Sequence, residues 1–133
     1  MVIGPDTRSR LLEHARAESP NECCGILAIE DDEVVAVHRL QNLAASPMRF
    51  EVDGARLAPL LLEIEDAGRR PAIYHSHTRS EPYPSQTDIN FARFWPGTEW
   101  LIIGLAGEEP ELRSFMIDGE GRVEEQPVDA DGT

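Results

Sequence analysis

His75-Ser76-His77-Thr78, followed by Ser85-Gln86-Thr87-Asp88, is the stretch on which the reading of this chain turns. Pro71 to His77 reads as a strand. Side chains two apart on a strand share a face, so His75 and His77 stand side by side. Thr78 to Pro84 reads as a loop, and Ser85 to Trp95 as a helix ended by Pro96-Gly97. That order lets the chain fold back and lay the first helical turn, with Asp88, over the two imidazoles. Two imidazoles and one carboxylate suit a zinc ion and leave a fourth position open for water, as a hydrolytic site needs. Ser85 and Asp88 also have the form of a capping box, with Asp88 favouring the positive end of the helix. Both readings stand at this point.

Working outward, Cys23 to Ile29 is an almost unbroken apolar run, consistent with a buried strand. After the acidic turn Glu30–Glu33, Val34 to Leu40 reads as its hairpin partner. Upstream, Asp6 to Glu18 reads as a helix capped by Asp6 or Thr7 and stopped by Pro20. A second helix lies within Asp53 to Gly68. Pro59 implies that it begins near Ala58 or is kinked there. Glu99–Ala106, Leu112–Ile117 and a short Arg122–Glu125 read as further strands. These elements imply one mixed α/β domain over residues 1–126: a central mixed β-sheet with about three flanking helices. Residues 127–133 are expected to be a mobile tail.

The formal net charge of −13 argues against nucleic acid and anionic membrane surfaces as partners, since phosphate binding wants a basic face. The acidic residues are scattered, which fits a generally solvated surface. The longest apolar run, Trp100–Ala106, is strand-sized, far short of a membrane span. The N-terminus lacks a basic region followed by an apolar stretch, so a cytoplasmic location is expected. The two cysteines, Cys23 and Cys24, are adjacent and poorly placed to bridge each other. Oligomeric state is not set by the sequence, and a homodimer stays open.

A zinc hydrolase needs a general base for the attacking water. Spacing alone selects none of the glutamates. Glu22 borders a buried strand, where desolvation would raise its pKa toward the working range; the alternative is an exposed charge at a strand end. A thiol hydrolase using Cys23 or Cys24 is a rival, set against the plainer reading of two buried small hydrophobes. His14 and His38 read as surface or helix-face residues.

Asn21-Glu22-Cys23-Cys24-Gly25, His75-Ser76-His77 and Ser85-Gln86-Thr87-Asp88 together resemble the JAMM (MPN+) zinc metalloprotease family, whose pattern is a distant Glu followed by His-x-His-Pro-x(6)-Ser-x-x-Asp. The spacing matches position for position, over nearly the whole chain. Thr78 stands where most of that family has proline. With Glu81 and Tyr83-Pro84-Ser85, it makes the chain similar to the bacterial CysO–cysteine hydrolase branch. The resemblance implies a single MPN (JAB-type, cytidine-deaminase-like) domain with one zinc ion on His75, His77 and Asp88. Glu22 would be the base and Ser85 the oxyanion donor. The implied substrate is the C-terminal amide of a small ubiquitin-like sulfur-carrier protein, with cysteine released. An isopeptidase acting on ubiquitin-like conjugates and a catalytically inactive MPN scaffold are the alternatives.

Overall fold

The computed structural model describes residues 1–130. Eight strands form one mixed sheet: β1 (Val2–Ile3), β2 (Cys24–Glu30), β3 (Glu33–Leu40), β4 (Arg70–His77), β5 (Glu99–Gly104), β6 (Glu111–Ile117), β7 (Val123–Gln126) and β8 (Asp129–Ala130). Their order across the sheet is β7-β6-β5-β4-β2-β3-β1-β8. The β4–β5, β1–β3 and β1–β8 pairs are parallel and the others antiparallel. Three helices complete the fold: α1 (Pro5–Glu18), α2 (Gly54–Asp66) and α3 (Gln86–Ala92).

The central strands are apolar on both faces because both faces are covered. Leu27, Ile29, Tyr74, Leu101 and Ile103 pack with Leu11 and Ala15 of α1. Ile26, Ala28, Ile73, Trp100 and Ile117 pack with Leu57 and Ile64 of α2 and Ala92 of α3. The period-two alternation of β4 then decides where its polar residues go. Tyr74 and Ser76 face α1. His75 and His77 share the face of Ile73, under α2 and α3. Gly25 sits where β2 crosses the Tyr74 ring; a Cβ there would lie 2.4 Å from that ring and 2.5 Å from the His38 carbonyl oxygen.

Several expected boundaries shift. Helix α1 starts at Pro5, not at a cap on Asp6 or Thr7: Gly4 is the N-cap and makes no side-chain cap bond. Proline at the first helical position has its φ pre-set and lacks an N–H that would be unpaired there anyway. Helix α2 begins at Gly54, upstream of Ala58, because the Asp53 carboxylate accepts from the Ala55 N–H (2.9 Å) and the Asp53 carbonyl from Arg56 and Leu57 (both 3.0 Å). Those bonds close a first turn ahead of Pro59, which lies inside the helix. Helix α3 stops at Ala92 rather than Trp95. Part of the segment expected as a tail makes contacts with the N-terminus. The Met1 ammonium donates to the Pro127 carbonyl (2.8 Å), and Asp129–Ala130 pairs with Val2–Ile3. Residues 131–133 of that tail lie outside the described residues. No described helix is long and apolar enough to cross a membrane.

Candidate active site

Strand β4 ends at His77, and the 78–84 loop carries the chain to α3. Ser85 is the N-cap of α3. Its hydroxyl accepts from the Asp88 N–H (3.1 Å), and its own N–H donates to Asp88 Oδ2 (2.9 Å). The capping box is therefore present, and it delivers Asp88 to the histidines instead of competing with that role. Asp88 Oδ2 lies 3.1 Å from His75 Nε2 and 3.0 Å from His77 Nε2. The two Nε2 atoms are 3.3 Å apart. All three residues are buried.

Ligands at about 2.0–2.1 Å around a tetrahedral zinc lie about 3.3–3.4 Å from one another. The three donor atoms thus already sit close to the spacing that a single ion would impose. The set fits zinc in chemistry as well: two imidazole nitrogens and one carboxylate oxygen, with one position left over. Among the described residues, no other cluster of three or more His, Cys, Asp or Glu side chains is arranged to hold a metal.

The supports of the two histidines differ. His77 Nδ1 donates to the Glu81 carbonyl (2.9 Å), which directs the Nε2 lone pair of a neutral ring into the site. His75 Nδ1 is buried without a partner. Its ring instead stacks on Phe50, with centroids 4.7 Å apart and planes at 27°, and meets Trp100 edge-on.

Glu22 is buried, and its Oε1 has no hydrogen-bond partner. Burial is the largest influence on its carboxyl and, with the Asp88 charge, outweighs the opposing pull of His77; the pKa is pushed up to about 8. For Asp88, burial alone would raise the pKa. The His75 charge and the hydrogen bonds from His75, His77 and the Ser85 N–H outweigh it and hold the carboxyl well below the usual range. Burial likewise works against charge on His77, yet its bonds to Asp88 and the Glu81 carbonyl leave its pKa raised.

Several tertiary bonds fix the Glu22 segment. The Cys23 N–H donates to Ser76 Oγ (2.8 Å), tying the start of β2 to the residue between the histidines. The Glu22 N–H donates to the Ser46 carbonyl (2.9 Å). Thr78 Oγ1 donates to the Pro20 carbonyl (3.0 Å), so the residue that replaces the family proline anchors the β4–α3 loop to this same segment. Both cysteines are buried and free. Burial pushes the Cys23 thiol up to about 11 and the Cys24 thiol to about 12, so neither offers a thiolate nucleophile. Of the two readings of His14, surface or helix face, the helix face holds: it is buried on α1, with Nδ1 2.7 Å from the Tyr74 hydroxyl.

A mixed α/β domain with a buried His-His-Asp donor set beside a protonatable glutamate defines a metal-dependent hydrolase. Residues 5–118 match the prokaryotic homologs of the JAB domain, and the chain belongs to that family. It is a JAMM-type metalloprotease domain suited to one zinc ion. Among similar proteins, the CysO-cysteine peptidase of Mycobacterium tuberculosis is 34% identical over 132 residues, spanning 96% of this chain and 89% of that one. The desampylase of Haloferax volcanii is 40% identical over 115 residues, spanning 80% and 82%. A protein of Desulfitobacterium hafniense solved in solution superimposes with a TM-score of 0.83 at 31% identity, covering 100% of this chain and 94% of that one.

Proposed function

We propose that this protein hydrolyses the amide bond at the C-terminus of a small ubiquitin-like sulfur-carrier protein. His75, His77 and Asp88 hold zinc, Glu22 acts as general base, and Ser85 stabilises the oxyanion. The observation that carries the reading is the convergence of three metal-ligating atoms beside a buried carboxylate with an unpartnered oxygen. The named activities of the similar proteins, a CysO-cysteine peptidase and a desampylase, support the carrier as substrate class. We place the protein in the cytoplasm, a reducing compartment that suits its two free cysteines.

The chemistry that a bound zinc supplies is polarisation of the scissile carbonyl and acidification of water. Glu22 takes a proton from the attacking water and returns it to the leaving amine; burial favours the protonated carboxyl that must hold this proton between the two transfers. The Ser85 hydroxyl accepts from the Asp88 N–H and so keeps its own proton free for the tetrahedral oxyanion. The carrier tail binds extended between the 41–51 and 78–84 segments, by main-chain pairing.

The test presents purified zinc-loaded protein with a carrier ending in Gly-Gly plus one further residue. In parallel it presents the same carrier joined through Gly-Gly to a lysine side chain. Mass spectrometry reads the mass lost. Release of the terminal residue supports the peptidase reading, and cleavage at lysine alone makes the protein an isopeptidase. Cleavage of neither, by protein that holds zinc, leaves a scaffold. Glu22→Gln should keep zinc and slow cleavage by ~10²–10⁴-fold.

A further inference from the structure

The 41–52 segment joins β3 to α2 and touches two parts of the site at once. The Asn42 amide uses all four of its hydrogen-bonding positions. Its Nδ2 donates to the Glu22 carbonyl (3.0 Å) and to the Arg49 carbonyl (3.1 Å). Its Oδ1 accepts from the Ala44 and Glu51 N–H groups (both 3.0 Å). The Arg49 carbonyl and the Glu51 N–H belong to the peptide groups on either side of Phe50. A further bond, Leu43 N–H to the Glu51 carbonyl (2.8 Å), closes the same loop.

Phe50 is buried and packs on Phe91 and Trp100 as well as on His75. A metal-binding imidazole is ordinarily oriented by a hydrogen bond from its far nitrogen. His77 has that bond, and His75 does not. The flat ring of Phe50 takes its place.

We propose that Asn42 is a positioning residue that locks the Glu22 main chain and the Phe50 backbone into one fixed relation, so that Phe50 sets the His75 ring for the metal while Glu22 is held against it. This rests on the proposed roles of His75 and Glu22. It goes beyond them by assigning their mutual placement to a loop that contributes neither ligand nor base. The loop's one polar hub and its one buried aromatic residue then work as a unit.

The experiment measures zinc(II) affinity by competition with a chromogenic chelator, the visible spectrum of the cobalt(II)-substituted protein, and kcat and KM separately. Phe50→Leu should weaken zinc binding by ~10-fold or more and shift the cobalt band. Phe50→Tyr keeps the flat ring and should retain wild-type affinity and spectrum. Asn42→Ala should reproduce the cobalt shift of Phe50→Leu and in addition lower kcat with little change in KM, because Glu22 is loosened. In the Asn42→Ala, Phe50→Leu double variant the zinc effects should not multiply, since both act through one ring. Unchanged zinc affinity and cobalt spectrum in Phe50→Leu would overturn the proposal. So would equal losses in Phe50→Leu and Phe50→Tyr, or multiplying losses in the double variant. Wild-type protein that bound no zinc would instead refute the metal-site reading beneath it.

Discussion

Strand β4 carries two buried histidine clusters on its two faces, a residue apart in sequence. On the α1 face His14 and Tyr74 close on each other, Nδ1 to hydroxyl at 2.7 Å, with Leu11, Ala15 and Leu27 around them. On the other face His75, His77 and Asp88 aim three donor atoms at one point, while Glu22 Oε1 and His75 Nδ1 find no partner. Both clusters are buried and both contain imidazole. The difference is satisfaction: a closed pair needs nothing from outside, whereas unspent donors held together by a rigid frame ask for a ligand. The open cluster also contains two carboxylates driven in opposite directions, Glu22 up and Asp88 down. Divergent pKa values in one cleft are the pattern of acid–base assignment.

The sharpest way to break this contrast is to remove Asp88. Asp88→Ala deletes the oxygen that meets both imidazoles and also the N3 side of the capping box. Zinc affinity should fall by more than the roughly 10–100-fold typical of losing an outer partner. His14→Phe, on the other face, should leave zinc affinity within about twofold by the same competition assay, since His14 lies outside the ligand shell that such outer partners support. Equal losses in the two variants would erase the distinction between open and closed clusters.

Next in size is Ser85→Ala. Loss of an oxyanion donor should lower kcat by ~10²–10³, and loss of the cap should lower stability by ~1 kcal/mol in thermal melts. A melt that shifts while kcat holds would make Ser85 a helix cap only. On the closed side, Tyr74→Phe strands the His14 ring nitrogen and should destabilise the fold by ~1–3 kcal/mol with kcat unchanged. A fall in kcat would show that the two faces communicate.

Two further effects are in pH dependence, and they should have opposite signs. Burial, helped by the Arg39 charge, lowers the His14 pKa from 6.5 despite Glu18. The unfolded chain therefore takes up a proton first, and stability is lost as pH falls through 6.5; His14→Phe should flatten that slope. In chelated protein Glu22 behaves the other way. Its pKa rises from 4.5 to about 8, so the unfolded chain loses its proton first and stability declines as pH climbs between those values. Glu22→Gln should remove that decline in denaturant titrations of the metal-free protein.

Much of this was legible in the residues. His75 and His77 share one face of β4 as period two requires, and Ser85 and Asp88 cap α3 as their spacing implied. What stayed hidden depends on tertiary placement. Whether His14 was a surface or a helix-face residue stayed open because burial of one imidazole is decided by Tyr74, 60 residues away. Asn42 and Phe50 lie in a segment without periodicity, so no pattern in the sequence marked them. Strands β1 and β8 have two residues each and carry no pattern of their own; pairing between the ends of the chain makes them. The start of α2 stayed open because Pro59 argued against a turn that the Asp53 cap secures.

The register between β2 and β4 sets Cys24 opposite His75 and Ile26 opposite Ile73. Because side chains alternate, adding or deleting one residue within β4 would exchange the tenants of its two faces beyond that point, turning imidazoles toward α1 and Ser76 toward α3. Descendants of this chain can therefore shed the centre by substitution, one ligand at a time, but they cannot slide it along the strand. Length variation in β4 is confined to even steps, whereas the 78–84 loop can absorb single insertions as long as Asp88 returns. The position of the chemistry is inherited as a parity, and a library of one-residue deletions scanned across residues 70–84 should show a sharp edge in zinc binding at the end of the strand.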